Sequence, residues 1–504
     1  MYLLGFDVGS SSIKATVLDA EKGIAIATKT SPEVEMEIIA GQPGWAEQHP
    51  HIWWEHIKSA TTHVLYQSGI DPGDIGAIGI SYQMHGLVIV DKNMKVLRPS
   101  IIWCDSRAVE IGDRAFTELG TEHCLACLLN SPGNFTASKL KWVMENEPEI
   151  YKRIYKAMLP GEFIAMKLTG EIYTTPSGLS EGILWNYKEQ DVAGMVLDFY
   201  GNSPELIPEV VPTFSIQGTV TRKAADETGL KEGTPVSYRA GDQPNNALSL
   251  NVLNPGEVAA TAGTSGVVYG VTDSPSFDSK SRVNTFVHVN HTKENPRYGV
   301  LLCVNGTGIL NRWIKNAIMK IGQAVISYEQ MNEIALKAPV GAEGLVVLPY
   351  GNGAERTLEN RDIGSSFHEL KFNTHNRRHF LRASQEGIVF ALNYGLGITR
   401  DMGVAVKTVR AGQNNMFLSE LFQEAFAAVT EATVELYNTD GSQGAARGAG
   451  IGVGFYKNFK EAFSGLKTIR IIEPKKELIP AYQNAYQRWL NILEHRLKDK
   501  KDSL

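Results

Sequence analysis

Two segments about half a chain apart are built to one plan. The first runs Leu3-Leu4-Gly5-Phe6-Asp7-Val8-Gly9-Ser10-Ser11-Ser12-Ile13-Lys14-Ala15-Thr16-Val17. The second runs Val258-Ala259-Ala260-Thr261-Ala262-Gly263-Thr264-Ser265-Gly266-Val267-Val268-Tyr269. Each reads as an apolar strand, a turn of glycine with small hydroxyl residues, and a second apolar strand. Such turns leave backbone N–H groups free and add hydroxyl donors, which suits a phosphate. Small side chains also let the backbone approach an anion closely. One hairpin of this kind is an ordinary chain reversal. Two of them suggest a duplicated fold with phosphates held between the halves.

The size of the chain agrees. Its 504 residues exceed what one hydrophobic core organises, and 43% apolar residues supply two. The formal net charge of −6 lacks the basic footprint of a nucleic-acid binder. No apolar run reaches membrane-spanning length. The chain enters a strand-like run directly, without a basic and then apolar leader, so a cytoplasmic location is expected. Four cysteines are too few for a disulfide scaffold, and Cys124 and Cys127 read as buried thiols.

Strand-like and helix-like segments alternate, which favours α/β layers. Ile75 to Ser81 reads as a buried strand that delivers Tyr82-Gln83-Met84-His85-Gly86. Leu87 to Asp91 reads as another strand, with a turn at Lys92-Asn93. Residues 139 to 168 carry helical periodicity, broken near Pro148 and Pro160. Gly201 to Pro212 looks like a loop, and residues 376 to 402 like a long helix. The tail from Pro480 to Leu497 reads as amphipathic helix, followed by a frayed end at Lys498 to Leu504. The chain crosses between halves near Asp242 to Asn254, which sets expected domains of 1–248 and 249–504. Gly444 to Gly452 lacks the spacing of a dinucleotide fingerprint and suits a small-faced helix pressed against a sheet or nucleotide. No Walker A sequence occurs.

Several side chains carry two readings. Asp242 follows Val236-Ser237-Tyr238-Arg239-Ala240-Gly241 and precedes Gln243-Pro244, a strand-to-helix junction. There it is either a helix N-cap or a reactive carboxylate. Asp7 caps the first turn or organises Mg²⁺ through water, since a bare carboxylate repels phosphate. Lys14 reaches a phosphate or covers the hairpin with its stem. His85 is a structural histidine or a hydrogen-bonding group for a ligand. His49 and His51 flank Pro50 beside Trp45, Trp53 and Trp54, which suits a turn into an aromatic-anchored helix. Arg356 sits on a cleft rim or holds a loop.

Taken together, the Gly9–Ser12 turn, Trp53-Trp54, Gln83-Met84-His85-Gly86, Gly241-Asp242, the Gly263–Gly266 turn, and Gly353 through Arg356-Thr357 resemble the FGGY family of sugar kinases. The resemblance spans nearly the whole chain, and the combination is specific where each piece alone is not. It implies two actin-like (ribonuclease H-like) ATPase domains flanking a central cleft. The Q-M-H-G segment, with Arg98-Pro99, Trp103, Asp105 and Arg107, looks like the branch that phosphorylates the 5-hydroxyl of D-xylulose. Carried over by position, Asp242 is the base, and Met84, His85 and Gln243 line the sugar pocket. Gly9, Ser10, Ser11 and Lys14 face the phosphates from one half, and Gly263, Thr264 and Ser265 from the other. Gly308, Gly412 and Asn415 border the adenosine, and Asp7 organises Mg²⁺. ATP and a small sugar are the implied ligands, with no nucleic acid and no membrane. Many relatives form homodimers, so the resemblance extends to that assembly. One departure is Arg410-Ala411-Gly412-Gln413, where relatives carry consecutive glycines; a methyl at Ala411 is expected against the adenine.

An ordinary Asp titrates near pH ~4, and a helix N-terminus is expected to hold Asp242 ionised. Two readings compete with D-xylulose. One is a sister kinase for ribulose, gluconate, another ketose or glycerol; the other is a non-catalytic, actin-like nucleotide sensor.

Overall fold

The computed structural model describes residues 1–319 and 326–499. Two twisted sheets repeat one topology. In the first, β1 (Tyr2–Val8), β2 (Ile13–Asp19) and β3 (Ile24–Ser31) form an antiparallel meander. Strands β4 (Ile75–Tyr82) and β5 (Val236–Gly241) join in parallel, giving the order β5-β4-β1-β2-β3. In the second, β6 (Glu257–Ala262), β7 (Gly266–Thr272) and β9 (Tyr298–Val304) are the meander. Strands β10 (Thr408–Gly412) and β11 (Thr433–Tyr437) are the parallel additions. Two edge strands, β8 (Asn284–Val287) and β12 (Thr468–Ile472), extend the order to β8-β9-β7-β6-β10-β11-β12. Each phosphate-type turn of the sequence is the first hairpin of its sheet, so the duplication inferred from two turns is a duplication of topology.

The first sheet is covered on both faces, which explains why β1 reads as a continuous apolar run rather than an alternating one. Leu3, Leu4, Phe6 and Val8 are all fully buried. On one face lies helix α1 (Pro50–Ser68), whose Trp53, Trp54, Ile57 and Val64 are buried. The tryptophans are therefore core residues, as the aromatic-anchored reading expects. Helix α2 (Asp242–Ser249) leads out of β5 towards the second sheet. The second sheet packs on α3 (Arg377–Asp401), and Trp489 of α5 (Ile479–Asp499) fills its outer core.

The other face of the first sheet is covered by α4 (Gly441–Gly452), from far along the chain. The approach is backbone to backbone. A methyl group on Gly5 would stand 1.8 Å from the Ser442 carbonyl oxygen, and one on Gly79 would stand 1.9 Å from that of Ala445. The glycine- and alanine-rich helix and the two strand glycines thus specify each other. Thr16 Oγ1 and Ser442 Oγ share a hydrogen bond of 2.7 Å across this interface. Arg447 Nη2 donates to the Gly23 carbonyl at 2.8 Å. The small-faced helix expected from the sequence is pressed against a sheet, and that sheet belongs to the first half of the chain.

Local expectations hold with small shifts. The 139–168 region resolves into helices Thr136–Asn146, Pro148–Tyr151 and Pro160–Thr169, each proline opening a helix, with strand Lys156–Met158 between them. The Gly201–Pro212 stretch also holds a short 3₁₀ turn, Pro204–Leu206, and strand Glu209–Val210. Cys124 and Cys127 are buried free thiols. Helix α5 continues through Lys498 and Asp499, where fraying was expected, and residues 500–504 lie outside the described residues.

Replacing Gly79 with valine drives three carbons into the α4 backbone. Overpacking of this kind typically costs ~1–3 kcal/mol, and backbone cannot rotate away. Gly79→Val is expected to lower unfolding stability by at least ~2 kcal/mol, read as a lower urea midpoint at unchanged slope.

Candidate active site

The parallel strands of the first sheet end at one edge, where open α/β sheets form ligand crevices. Asp7 lies near the end of β1, Gln83-Met84-His85 follows β4, and Asp242 follows β5. They converge on a cavity of about 770 Å³. Of the expected site residues, Asp7, Gly9, Ser10, Ser11, Lys14, Met84, His85, Asp242 and Gln243 line it from the first half of the chain. Ser265 lines it from the second, together with Cys303, Asn305 and Arg356. Loops from both sheets therefore face one space.

Gly263 and Thr264 do not line this cavity but form the adjoining turn. The Gly263 carbonyl accepts from Gly308 N at 2.9 Å, and the Thr264 carbonyl from Ile309 N at 3.2 Å. Asn415 Nδ2 lies 3.5 Å from where a Gly263 methyl would stand. Asn415 Nδ2 also donates to Asn414 Oδ1 at 3.1 Å, and Asn414 N donates to the Gly412 carbonyl at 2.8 Å. Gly263, Thr264, Gly308, Gly412 and Asn415 thus form one contiguous cluster, in which Gly412 is buried.

The expected methyl at the adenine is not there. Ala411 is fully buried in the hydrophobic core of the second sheet, because β10 alternates its side chains and Ala411 takes the core face. The exposed departure from a glycine run is Gln413 instead.

The carboxylates are crowded. Asp7 Oδ1 accepts from Ser81 Oγ at 3.0 Å. Its Oδ2 lies 2.4 Å from where a Gly441 methyl would stand, so Asp7 abuts the first residue of α4. Asp440 caps that helix, accepting from Gln443 N at 3.0 Å, and pairs with Lys14 Nζ at 3.3 Å. Lys14 thus already has an anionic partner. Burial, with the Asp440 charge adding to it, raises the Asp7 carboxyl above its ordinary range, against the Ser81 hydrogen bond and Lys14. Asp440 escaped the sequence reading, although an Asp before a helical run is an N-cap signal.

Asp242 is the first residue of α2, and the N-cap position is held by Gly241, one residue earlier. The cap reading is thereby set aside. Ionisation near pH ~4 also gives way. Burial first, and the Asp7 charge second, push Asp242 up to about 7, against hydrogen bonds from Gln243. Desolvation at the cavity floor outweighs the helix N-terminus.

This concentration of negative charge around one ammonium group suits a divalent cation beside Asp7. Among the described residues no group of three His, Cys, Asp or Glu stands close enough to hold a metal directly. Binding largely through water fits such a donor set, and is the usual habit of Mg²⁺.

His85 stands in the left-handed backbone region, with φ 61°. Its ring packs edge-on to Phe135, with centroids 4.7 Å apart, and against Phe286 at 5.5 Å. Nδ1 lies 2.8 Å from the Glu181 carbonyl. A carbonyl only accepts, so Nδ1 carries the proton and Nε2 is left as an acceptor. Burial, and then the Lys139 charge, depress its pKa to about 3, so the ring is neutral.

Asp105 and Arg107 build the wall rather than the site. Arg107 Nη2 meets Asp105 Oδ2 at 2.7 Å, and its guanidinium stacks 3.8 Å over Trp45. This buried pair fixes the loop from which Trp103 reaches the cavity, its Nε1 donating to Ser10 Oγ at 3.3 Å. Arg356 lines the cavity with its guanidinium 5.7 Å over the Phe135 ring, so the cleft reading holds.

Models of the FGGY carbohydrate kinases match the chain twice, the N-terminal domain over residues 2–249 and the C-terminal domain over residues 258–452. The chain belongs to the FGGY family of carbohydrate kinases. Xylulose kinase of Bacillus subtilis (strain 168) is 29% identical over 98% of this chain and 97% of its own. The L-xylulose/3-keto-L-gulonate kinase of Escherichia coli (strain K12) is also 29% identical, over 98% and 96%. The crystal structure of xylulose kinase from Rhodospirillum rubrum superposes with a TM-score of 0.86 at 25% identity, covering 98% of this chain and 99% of that one. The fold is thus the two-domain, actin-like kinase fold, and ATP is the phosphoryl donor of this FGGY kinase. Among the described residues no helix is long and apolar enough to cross a membrane.

A carboxyl whose native pKa lies above its ordinary 3.8 holds its proton more tightly folded than unfolded. Its contribution to stability therefore falls as pH rises from about 4 to about 7, and the cost of the buried charge is complete above that. Without metal or nucleotide, Asp242→Asn is expected to raise the urea midpoint at pH ~8, with the gain shrinking toward pH ~5. Equal midpoints at both pH values would contradict the raised pKa of the buried Asp242.

Proposed function

We propose that this FGGY kinase transfers the γ-phosphoryl group of ATP to the 5-hydroxyl of D-xylulose, with Asp242 as the base. The observation that carries this reading is the single cavity on which Asp242, Asp7, His85, Met84 and the first phosphate-type turn converge with Ser265 of the second. In the proposed step the sugar O5 forms a bond to the γ-phosphorus while the bond from phosphorus to the β,γ-bridging oxygen breaks. The hydroxyl proton passes to an Asp242 oxygen, and ADP leaves. A carboxylate poised near neutrality is a better base than an ordinary Asp, and such groups contribute on the order of 10²–10⁴ in rate.

Phosphoryl transfer depends chiefly on alignment and charge neutralisation. Gly9, Ser10 and Ser11 are assigned to the phosphates on one side, and Gly263, Thr264 and Ser265 on the other. Lys14 joins them only by exchanging Asp440 for a phosphate oxygen. Gly308, Gly412 and Asn415 are assigned to the adenosine, with Gln413 in place of Ala411 as the chain-specific contact. Asp7 is assigned to Mg²⁺, which when bound neutralises phosphate charge. Met84 and Gln243 shape the sugar pocket, and His85 Nε2 accepts from a sugar hydroxyl. The division at 248/249 remains our proposed domain border, with α4 returning across it. A homodimer and a cytoplasmic location are proposed by analogy with such kinases.

The preference for D-xylulose rests on likeness to xylulose kinases and on the Gln83-Met84-His85-Gly86 segment. The Escherichia coli relative, named for L-xylulose and 3-keto-L-gulonate, favours a second reading in which the ketose differs. A coupled ADP-release assay over pentuloses, hexuloses, gluconate and glycerol decides. D-Xylulose is expected to give the highest kcat/KM, and Asp242→Ala to lower kcat by about 10² or more with ATP binding within a few-fold. Higher turnover of another sugar would reassign the substrate. ATP hydrolysis without a sugar product would reassign the protein as a sensor.

Lobes that both face one ligand are suited to closing over it and excluding water. Small-angle scattering is expected to give a smaller radius of gyration with sugar plus a non-hydrolysable ATP analogue than with either alone. An unchanged radius would remove closure from the mechanism.

A further inference from the structure

His85 occupies a backbone conformation that non-glycine residues seldom adopt, and such strain persists only where the surroundings impose it. Two buried ionisable side chains meet it. Its backbone N–H donates to Glu181 Oε2 at 3.2 Å. Its backbone carbonyl accepts from Lys139 Nζ at 2.9 Å. The same Lys139 Nζ donates to the Ile102 carbonyl at 3.0 Å, one residue before Trp103. Its ring Nδ1 donates to the Glu181 carbonyl at 2.8 Å. Three of the four polar atoms of His85 are thus taken by two residues, and Nε2 has no partner among the described residues.

Neither Glu181 nor Lys139 lines the cavity. Both are almost wholly buried. Glu181 is wedged behind the end of β5: its two carboxylate oxygens lie 3.2 and 3.1 Å from where a Gly241 methyl would stand. Burying a carboxylate and an ammonium costs several kcal/mol unless each is paired. No salt bridge joins Glu181 to Lys139; Lys139 donates to the His85 and Ile102 carbonyls, and the Glu181 carboxyl meets the His85 N–H and the Tyr82 hydroxyl. A core built only for stability would be served as well by apolar side chains.

We propose that Glu181 and Lys139 are positioning residues for sugar recognition, holding His85 so that Nε2 presents one fixed acceptor to a substrate hydroxyl. The proposal rests on the sugar-kinase reading above. A fixed acceptor selects a sugar bearing a donor hydroxyl at that point, because the analogue lacking it leaves the acceptor unpaired. Lys139 also ties the His85 loop to the segment leading into Trp103, so one ammonium group links two walls of the pocket.

The test is a double-mutant cycle between Glu181→Ala and His85→Ala, run with the best sugar of the panel and with its deoxy analogues. Glu181→Ala is expected to raise KM for the sugar about tenfold, leave KM for ATP within about twofold, and reduce discrimination against one deoxy analogue by a similar factor. In the His85→Ala background the same change is expected to add less than about twofold. Glu181→Gln, which keeps the shape and an oxygen for the His85 N–H, is expected to stay within about threefold of the parent, and guards against a folding defect in the alanine variant. Lys139→Met is expected to reproduce the loss of sugar discrimination. Equal effects of Glu181→Ala with and without His85, or unchanged sugar discrimination in both Glu181→Ala and Lys139→Met, would overturn the proposal. Failure of D-xylulose itself is separately visible, since the cycle runs on whichever sugar is turned over.

Discussion

The contact on which the architecture depends is the backbone approach of α4 to the first sheet. Gly5 and Gly79 leave no room for a methyl group against the Ser442 and Ala445 carbonyls. This contact ties the far end of the chain to the first strands. It also brings Asp440 and the start of α4 up to Asp7, so one packing constraint sets the electrostatics of the site. Lys14 balances Asp440, while after burial itself the Asp440 charge raises the proton affinity of Asp7 and the Asp7 charge that of Asp242. A phosphate turn beside such a cluster is compatible with its ligand only if cations accompany the phosphates.

Burial decides which ionisable groups take part and how. Asp242 is lifted towards neutrality, where proton transfer is most effective. His85 is lowered so far that its ring is neutral. One desolvated environment thus raises the pKa of an acid and lowers that of a base, as loss of hydration disfavours either charge. The buried Arg107–Asp105 pair and the Lys139 bonds spend polar groups on loops rather than on chemistry.

Much of this was legible in the residues. The paired hairpins at Gly9 and Gly263 announced a repeated topology, because a small-residue turn between apolar strands constrains the local chain. The strand before Gly241 was readable for the same reason, as was a helix start at Gln243, which lies one residue earlier, at Asp242. Most of the side chains expected at the first turn and the sugar pocket do line one cavity. Others were hidden because their partners are remote in sequence. Asp440 meets Lys14 across 426 positions, and Glu181 meets His85 across 96. Nothing local marks Glu181 in a run of small residues. The Ala411 methyl was misplaced because its direction depends on the register of β10, which one strand read alone does not reveal.

The sequence by itself determined the elements and their repetition, since turn chemistry, apolar runs and helix starts act over a few residues. Tertiary structure alone decided which carboxylate is lifted towards neutrality, which is crowded against a helix start, and which histidine nitrogen is free. Those properties arise from desolvation and from partners brought within a few ångströms by distant parts of the chain, and no local pattern encodes them.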